Sequence, residues 1–186
     1  MADAIGYLTM GGIFAANMTG NTVLTGLAAA KGDIAGALHH CGPLLMFFLG
    51  AITARVLLRV AKTLKAPLAC HAVALAIATF FLEDPTLAIS VVAYAMGLQA
   101  SAITRFGRTA ASTVVVTSTI ARLADAAVDR WAGRPRSDPT PGGDPRLLLL
   151  TWACYLLGAV AGAAILPVMA TPLLVPTILA VIVLFF

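Results

Sequence analysis

The chain has 186 residues, 60% of them hydrophobic and only 11% charged, with a mean hydropathy of +0.96. A soluble domain carries about 25% charged residues, so a soluble core does not account for this composition. The net charge of +4 is spread over connections, as in the inter-helix loops of a membrane protein, and is no nucleic-acid footprint.

The first thirty residues are apolar but interrupted by Gly, Thr and Asn. They have no basic n-region, the first Lys or Arg being Lys31, so they do not read as a cleaved signal peptide. The clearest full-length apolar runs follow at 43–60, 66–82, 86–104, 147–169 and 172–186. Each is at or near the roughly 20 residues that a spanning helix needs. They predict helices at 37–62, 66–82, 87–104, 147–169 and 172–186. Residues 107–129 form a second interrupted stretch. Residues 131–146, with four prolines and three glycines, predict an exposed loop. Arg55, Arg59, Lys62 and Lys65 mark the most basic short connection as cytoplasmic, which puts Glu83 and Asp84 on the opposite side. Arg105 and Arg108 return to the first side if 86–104 crosses, while Arg130, Arg134, Arg136 and Arg146 in the long loop blur the rule.

The chain repeats itself. "DAIGYLTMGGIFAANMTGN" (3–21) aligns with "QASAITRFGRTAASTVVVTST" (99–119) when two residues are inserted, and "FFLGAITA" (47–54) aligns with "YLLGAVAG" (155–162). Gly50/Ala54 and Gly158/Gly162 are small-xxx-small pairs that let helices approach closely and leave a homo-oligomer open. The fold expected is an all-α integral membrane protein of two homologous repeats in one membrane domain. Repeat one is 1–82, with a broken element at 1–30. Repeat two is 87–186, with a broken element at 107–129.

Each broken element reads as an extended segment followed by a half-helix. Thr113–Val116 is β-branched and favours extended backbone, and the helix after it is capped at Thr117–Thr119. Four extended residues cover about 13 Å and twelve helical ones about 18 Å, together near the ~30 Å of a hydrocarbon core. In the first copy "IFAAN" is the extended segment, Thr19 to Asn21 the turn and cap, and "TVLTGLAAA" the half-helix ending at Lys31–Gly32. Gly20 allows an unusual backbone or a close approach at the break. A helix that starts inside a bilayer leaves about four N–H groups unpaired, and these must be buried in protein or line a cavity. With the positive end of the helix dipole they can hold an anion or the polar end of a solute. The expected solute-binding residues are therefore Asn17, Thr19, Gly20, Asn21, Thr22, Gln99, Thr117, Ser118 and Thr119, gathered in a central site.

"DAIGYLTMGGIFAANMTGNTV", "AMGLQASAITRFG" and the later hydroxyl cluster resemble the YoaK family of bacterial inner-membrane proteins, over nearly the whole chain. The resemblance implies a polytopic membrane protein of unsettled biochemical function. Two departures stand out. Family members carry more apolar residues before the Asp-Ala-Ile-Gly element, so the first helix is shortened here or the true start lies upstream. The family also tends to repeat Met-Thr-Gly-Thr where this chain has Val116-Thr117-Ser118-Thr119. The architecture alone resembles the sulfate and uracil permeases, as an analogy of fold without matching residues.

Asp3, equivalent in position to Gln99, is a candidate for proton or ion coupling, or else an interfacial end group. Arg122 and Asp125 are spaced to pair on the second half-helix. His39, His40 and Cys41 point in different directions on a helix and have no spaced partner, so no metal is expected. Cys41, Cys70 and Cys154 read as small buried hydrophobes. No HExxH, GxSxG or Walker pattern occurs, so neither catalytic residues nor a cofactor is expected. The function expected is a multi-pass inner-membrane transporter or channel for a small solute, passive or ion-coupled, with the lipid bilayer and the solute as partners. The alternatives are a membrane enzyme acting on a lipid-like substrate and a non-transporting membrane partner.

Overall fold

The computed structural model describes residues 1–103, 116–132 and 145–185, and these are helical with no strand among them. The helices are α1 Ala2–Thr9, α2 Met18–Ala30, α3 Ile34–Ala61, α4 Lys65–Ala78, α5 Pro85–Ala102, α6 Val116–Trp131, α7 Pro145–Ala164 and α8 Leu174–Val183, with a 3-10 turn at Thr79–Phe81 after α4. Two compact units form, Met1–Ala102 with Ala159–Phe186, and Ile103–Gly158. The run Thr113–Val115, Gly107, Arg105 and Arg108, and most of the proline-rich loop lie outside the described residues.

Local chemistry sets the helix ends. Asn17 caps α2 and Asp33 caps α3, each accepting from the N–H three residues on. Asp84 accepts from the N–H groups of Thr86 and Leu87, and Pro85 takes the first position of α5, where a missing N–H costs nothing. Gly32, at φ +74°, ends α2 in the left-handed region. The α4 helix separates the basic connection at Lys62–Lys65 from Glu83 and Asp84 at its other end.

In the first unit α5 is the axis. It is apolar all round and packs against α3 on one side and α4 on another, with Ala88, Ile89, Val92, Ala93, Ala95 and Leu98 buried. The α2 helix packs on α3, and α8 on α4. Ile5 of α1, Met10, Ile13 and Ala15 of the following turn, Leu75 and Ala78 of α4, and Leu173 complete the core around α5. At the α3–α5 crossing a Cβ on Gly50 would overlap the Tyr94 carbonyl, and one on Gly97 the Phe47 carbonyl. The two backbones touch there because neither helix has a side chain between them.

The outer surface is apolar. Leu45, Phe48, Leu49 and Ile52 of α3 and Leu156, Leu157 and Val160 of α7 are exposed. A water-soluble monomer rarely shows contiguous patches of this kind. The α3, α5 and α7 helices are long and apolar enough to cross a membrane. Cys70 and Cys154, expected inside, lie on this outer surface, and Cys41 is half-buried. A thiol is apolar enough for either place.

Replacing Gly50 or Gly97 by Ala should destabilise the protein by about 1–3 kcal/mol, the cost of overpacking a tight crossing. Gly26→Ala, where an added Cβ meets nothing within 4 Å, should be neutral or stabilising by up to ~1 kcal/mol. Thermal unfolding of the purified variants in detergent checks both, and equal behaviour of Gly50→Ala and Gly26→Ala would discard the close-crossing account.

Candidate functional site

The polar cluster at the start of α2 holds a stretch of chain that has left helical structure. After α1 the backbone turns through Gly11 and Gly12 at φ +77° and +73°, a region L side chains avoid. His39 of α3 occupies the space a Gly11 side chain would need. Residues 13–17 then run irregularly to α2, where an extended segment was expected. Extended backbone is stable when a ladder partner meets its N–H and C=O groups, and here side chains meet them instead.

Asn21 does most of this. Its residue is 0% exposed, its Nδ2 donates to the Phe14 carbonyl at 2.7 Å, and its Oδ1 accepts from the Phe14 N–H at 3.0 Å. One carboxamide thus closes both polar groups of one residue. Asp3 Oδ1 accepts from the Ala16 N–H at 2.5 Å and, more weakly, from that of Asn17 at 3.4 Å. Asn17 Oδ1 accepts from the Gly20 N–H at 3.2 Å. The Phe14 ring stacks on Tyr7, with centroids 4.7 Å apart, and packs so closely over Gly20 that a Cβ there would lie 3.0 Å from it.

The helix therefore begins at Met18 with Asn17 as its cap, a correction to the cap expected at Thr19–Asn21. Asn17 wins because its Oδ1 reaches the N–H of Gly20, in the capping geometry. Thr19, Gly20 and Asn21 fall in the first turn, and Thr22 donates to the Met18 carbonyl at 2.8 Å. Thr19 is exposed. Asp3, expected as a proton or ion carrier, directs Oδ1 at the same backbone.

Gln99 goes elsewhere. It lines a cavity of about 240 Å³ together with His71, Leu75, Met96, Leu179 and Ala180, among others. His71 is 5% exposed, and its Nδ1 lies 2.8 Å from the carbonyl oxygen of Ala95, one turn before Gln99 on α5. A carbonyl only accepts, so Nδ1 carries a proton. Among the described residues the wall side chains with nitrogen or oxygen are those of His71 and Gln99, and Met1, which carries the terminal amino group, also lines the cavity. Composition and repeat matching passed over His71. The available signal was a lone imidazole inside the apolar run 66–82, since an ionisable side chain in a membrane span is by default a functional candidate.

The chain matches, over residues 1–186, the family described as "Protein of unknown function (DUF1275)". The chain belongs to this family. It is 33% identical over 135 residues to the UPF0700 transmembrane protein YoaK of Bacillus subtilis (strain 168), an alignment that covers 66% of this chain and 60% of that protein. The chain thus spans about 60% of the length of the curated relative it matches. No solved structure matches. The MTGN and Gly-Leu-Gln resemblance holds, and the protein is a transmembrane member of the YoaK family.

The second hydroxyl cluster is in the second unit, at the start of α6. Thr119 is buried, Ser118 half-buried and Thr117 exposed. Around α6 Ser118, Thr119, Arg122 and Asp129 are covered, Asp125 and Arg130 are exposed, and so are Ile120, Val128 and Trp131, Trp131 at 90%. At 100° per residue Ile120, Ala124, Val128 and Trp131 share one side of the helix. In a transmembrane protein the apolar exposed side is the one that tolerates lipid.

Asn21→Leu leaves the Phe14 N–H and C=O without partners, at about 1–3 kcal/mol each, and should lower the unfolding temperature strongly. Thr22→Val, which removes an exposed hydroxyl bonded within its own helix, should change stability by less than ~0.5 kcal/mol. Thermal unfolding compares the two, and similar losses would show that Asn21 holds nothing special. With Trp152→Phe leaving Trp131 as the sole tryptophan of the two present, emission in vesicles should be blue-shifted and quenched by brominated acyl chains. Unquenched emission at the wavelength of hydrated indole would place that side of α6 in water.

Proposed function

We propose that the protein is a multi-pass transporter or channel of the bacterial inner membrane for a small polar solute, passive or ion-coupled, with the His71–Gln99 cavity as its solute site. The observation that carries this reading is a buried imidazole and a carboxamide on one cavity wall whose other side chains are apolar. Polar side chains within a membrane bundle are costly, and they mark substrate pathways when they face a cavity. Gln99 was among the residues expected to bind solute on sequence grounds, which supports the same assignment independently of the cavity.

In this reading Asp3, Asn17, Gly20 and Asn21 serve the path indirectly by holding the break between α1 and α2. Thr19 and Thr22 at the exposed start of α2, and Thr117 to Thr119 at the start of α6, are further polar positions along the path. The two-repeat organisation, with a broken element in each copy, belongs to the same proposal, because paired repeats around a midplane site are a recurrent transporter design.

The test is uptake by liposomes containing the purified full chain, against empty liposomes, over a panel of small polar solutes. A saturable component is expected. Gln99→Leu should weaken its apparent affinity by about tenfold, the loss of roughly one hydrogen bond to the solute. Rates no higher than in empty liposomes for every solute would end the transport reading.

A further inference from the structure

We infer that the cleft between the end of α6 and the start of α7 binds an anionic phospholipid, with Arg130 and Arg146 on its phosphate and the apolar wall against an acyl chain. The cleft shares no residue with the His71–Gln99 cavity, and the inference does not depend on the transport reading.

The cleft has a volume of about 490 Å³ and lies within the second unit. On α6 it is lined by Leu123, Ala126, Ala127 and Arg130, the i, i+3, i+4, i+7 spacing of one helix face. That face is apolar until its last turn, where Arg130 stands about 10 Å further along the axis than Leu123. On α7, Pro145 and Arg146 open the helix, and Leu149 follows one turn further in. Each helix thus carries its arginine at the terminus and apolar side chains toward its body. A phospholipid is laid out the same way, charged at one end and apolar along the rest.

The charge on the wall fits an anionic headgroup. Two arginines face one carboxylate, Asp129, which leaves a surplus of one positive charge. The α6 C-terminus and the α7 N-terminus contribute dipole ends of opposite sign and roughly cancel. The guanidinium fork matches two phosphate oxygens, and its five N–H donors leave some over for a phosphate even where an arginine also bonds within the protein. The depth fits as well. The α7 helix is long and apolar enough to cross a membrane, which puts its first turn and Arg146 at headgroup level. Trp131, next to Arg130 and bare, is of a residue type that concentrates at that level. Basic pockets at the ends of membrane helices are a recurrent way of holding anionic headgroups. Leu149 lines the cleft yet is 53% exposed, so the apolar side of the cleft is open to the bilayer. A free phosphate would use the arginines and leave that wall bare, whereas a lipid covers both.

The test titrates the purified full chain in detergent with dioleoyl phosphatidylglycerol and, separately, with dioleoyl phosphatidylcholine, and reads bound lipid by native mass spectrometry. The anionic lipid should bind about tenfold more tightly. Arg130→Gln or Arg146→Gln should each cut this preference about fivefold, the contribution of one basic residue at an anionic headgroup, and the double variant should remove it. Arg55→Gln with Arg59→Gln takes the same charge from exposed positions on α3, outside the cleft, and should leave the preference unchanged. Ala126→Phe keeps both arginines but fills the cleft, and should lower phosphatidylglycerol binding to the phosphatidylcholine level. Inorganic phosphate in excess over the lipid should not displace it. Equal affinity for the two lipids overturns the inference. So does a preference that the Arg55 and Arg59 changes lower as much as those at Arg130 and Arg146, since net charge would then be its cause. A preference that Ala126→Phe leaves intact overturns it too, and displacement by phosphate would assign the arginines to a free anion instead of a lipid. Should Arg146→Gln fail to fold, Arg130→Gln, which alters an exposed side chain, and the unaltered protein still decide.

Discussion

Where the chain leaves a helix in an apolar protein, each N–H and C=O it exposes must be given a partner by the protein itself, because lipid has none to offer. Asn21 meets this constraint for Phe14 with a single carboxamide, and Asp3 meets it for Ala16 and Asn17. The geometry of the first unit leans on these bonds. They fix the path from α1 to α2, and with it the burial of Met10, Ile13 and Ala15 against α5. They also tie α1 to the start of α2, so that Met1 and Ala2 reach the wall of the His71–Gln99 cavity.

The second support is a contact between backbones. Gly50 and Gly97 bring α3 and α5 together so closely that the Tyr94 carbonyl of α5 and the Phe47 carbonyl of α3 stand where their side chains would be. With α5 held this way, the face carrying Ala95 and Gln99 is turned toward α4 and α8, and His71 reaches Ala95 from α4. Small residues at one crossing and polar residues at the next are complementary devices. The first gives close packing without any hydrophobic force to drive it, and the second gives direction.

Several features that would be faults in water make sense in lipid. Exposed leucines and phenylalanines on α3 and α7, cysteines on the outer surface, and a bare tryptophan at the end of α6 all belong to one apolar surface. Each is tolerated because the outer solvent is as apolar as the side chains it meets.

Much of this was legible before any coordinates. Composition alone requires a membrane protein, apolar runs place α3, α4, α5, α7 and α8 to within a few residues, and the cluster from Asn17 to Thr22 announces a break in helical structure. Gly50 with Ala54 was recognisable as a packing pair, although its partner Gly97 was not. The fate of the polar side chains was not legible. An asparagine near a helix start is chemically able to bind a solute or its own backbone, and the choice depends on whether another part of the chain comes within 3 Å. Asn21 found Phe14, seven residues away, and Asp3 found Ala16 across a turn. Gln99 found no such neighbour and lines a cavity beside His71, twenty-eight positions earlier in the chain on another helix. Hydrophobic pattern and helix caps are local properties, written in adjacent residues. Which polar atoms remain to meet a ligand is a property of long-range packing, and only the folded chain decides it.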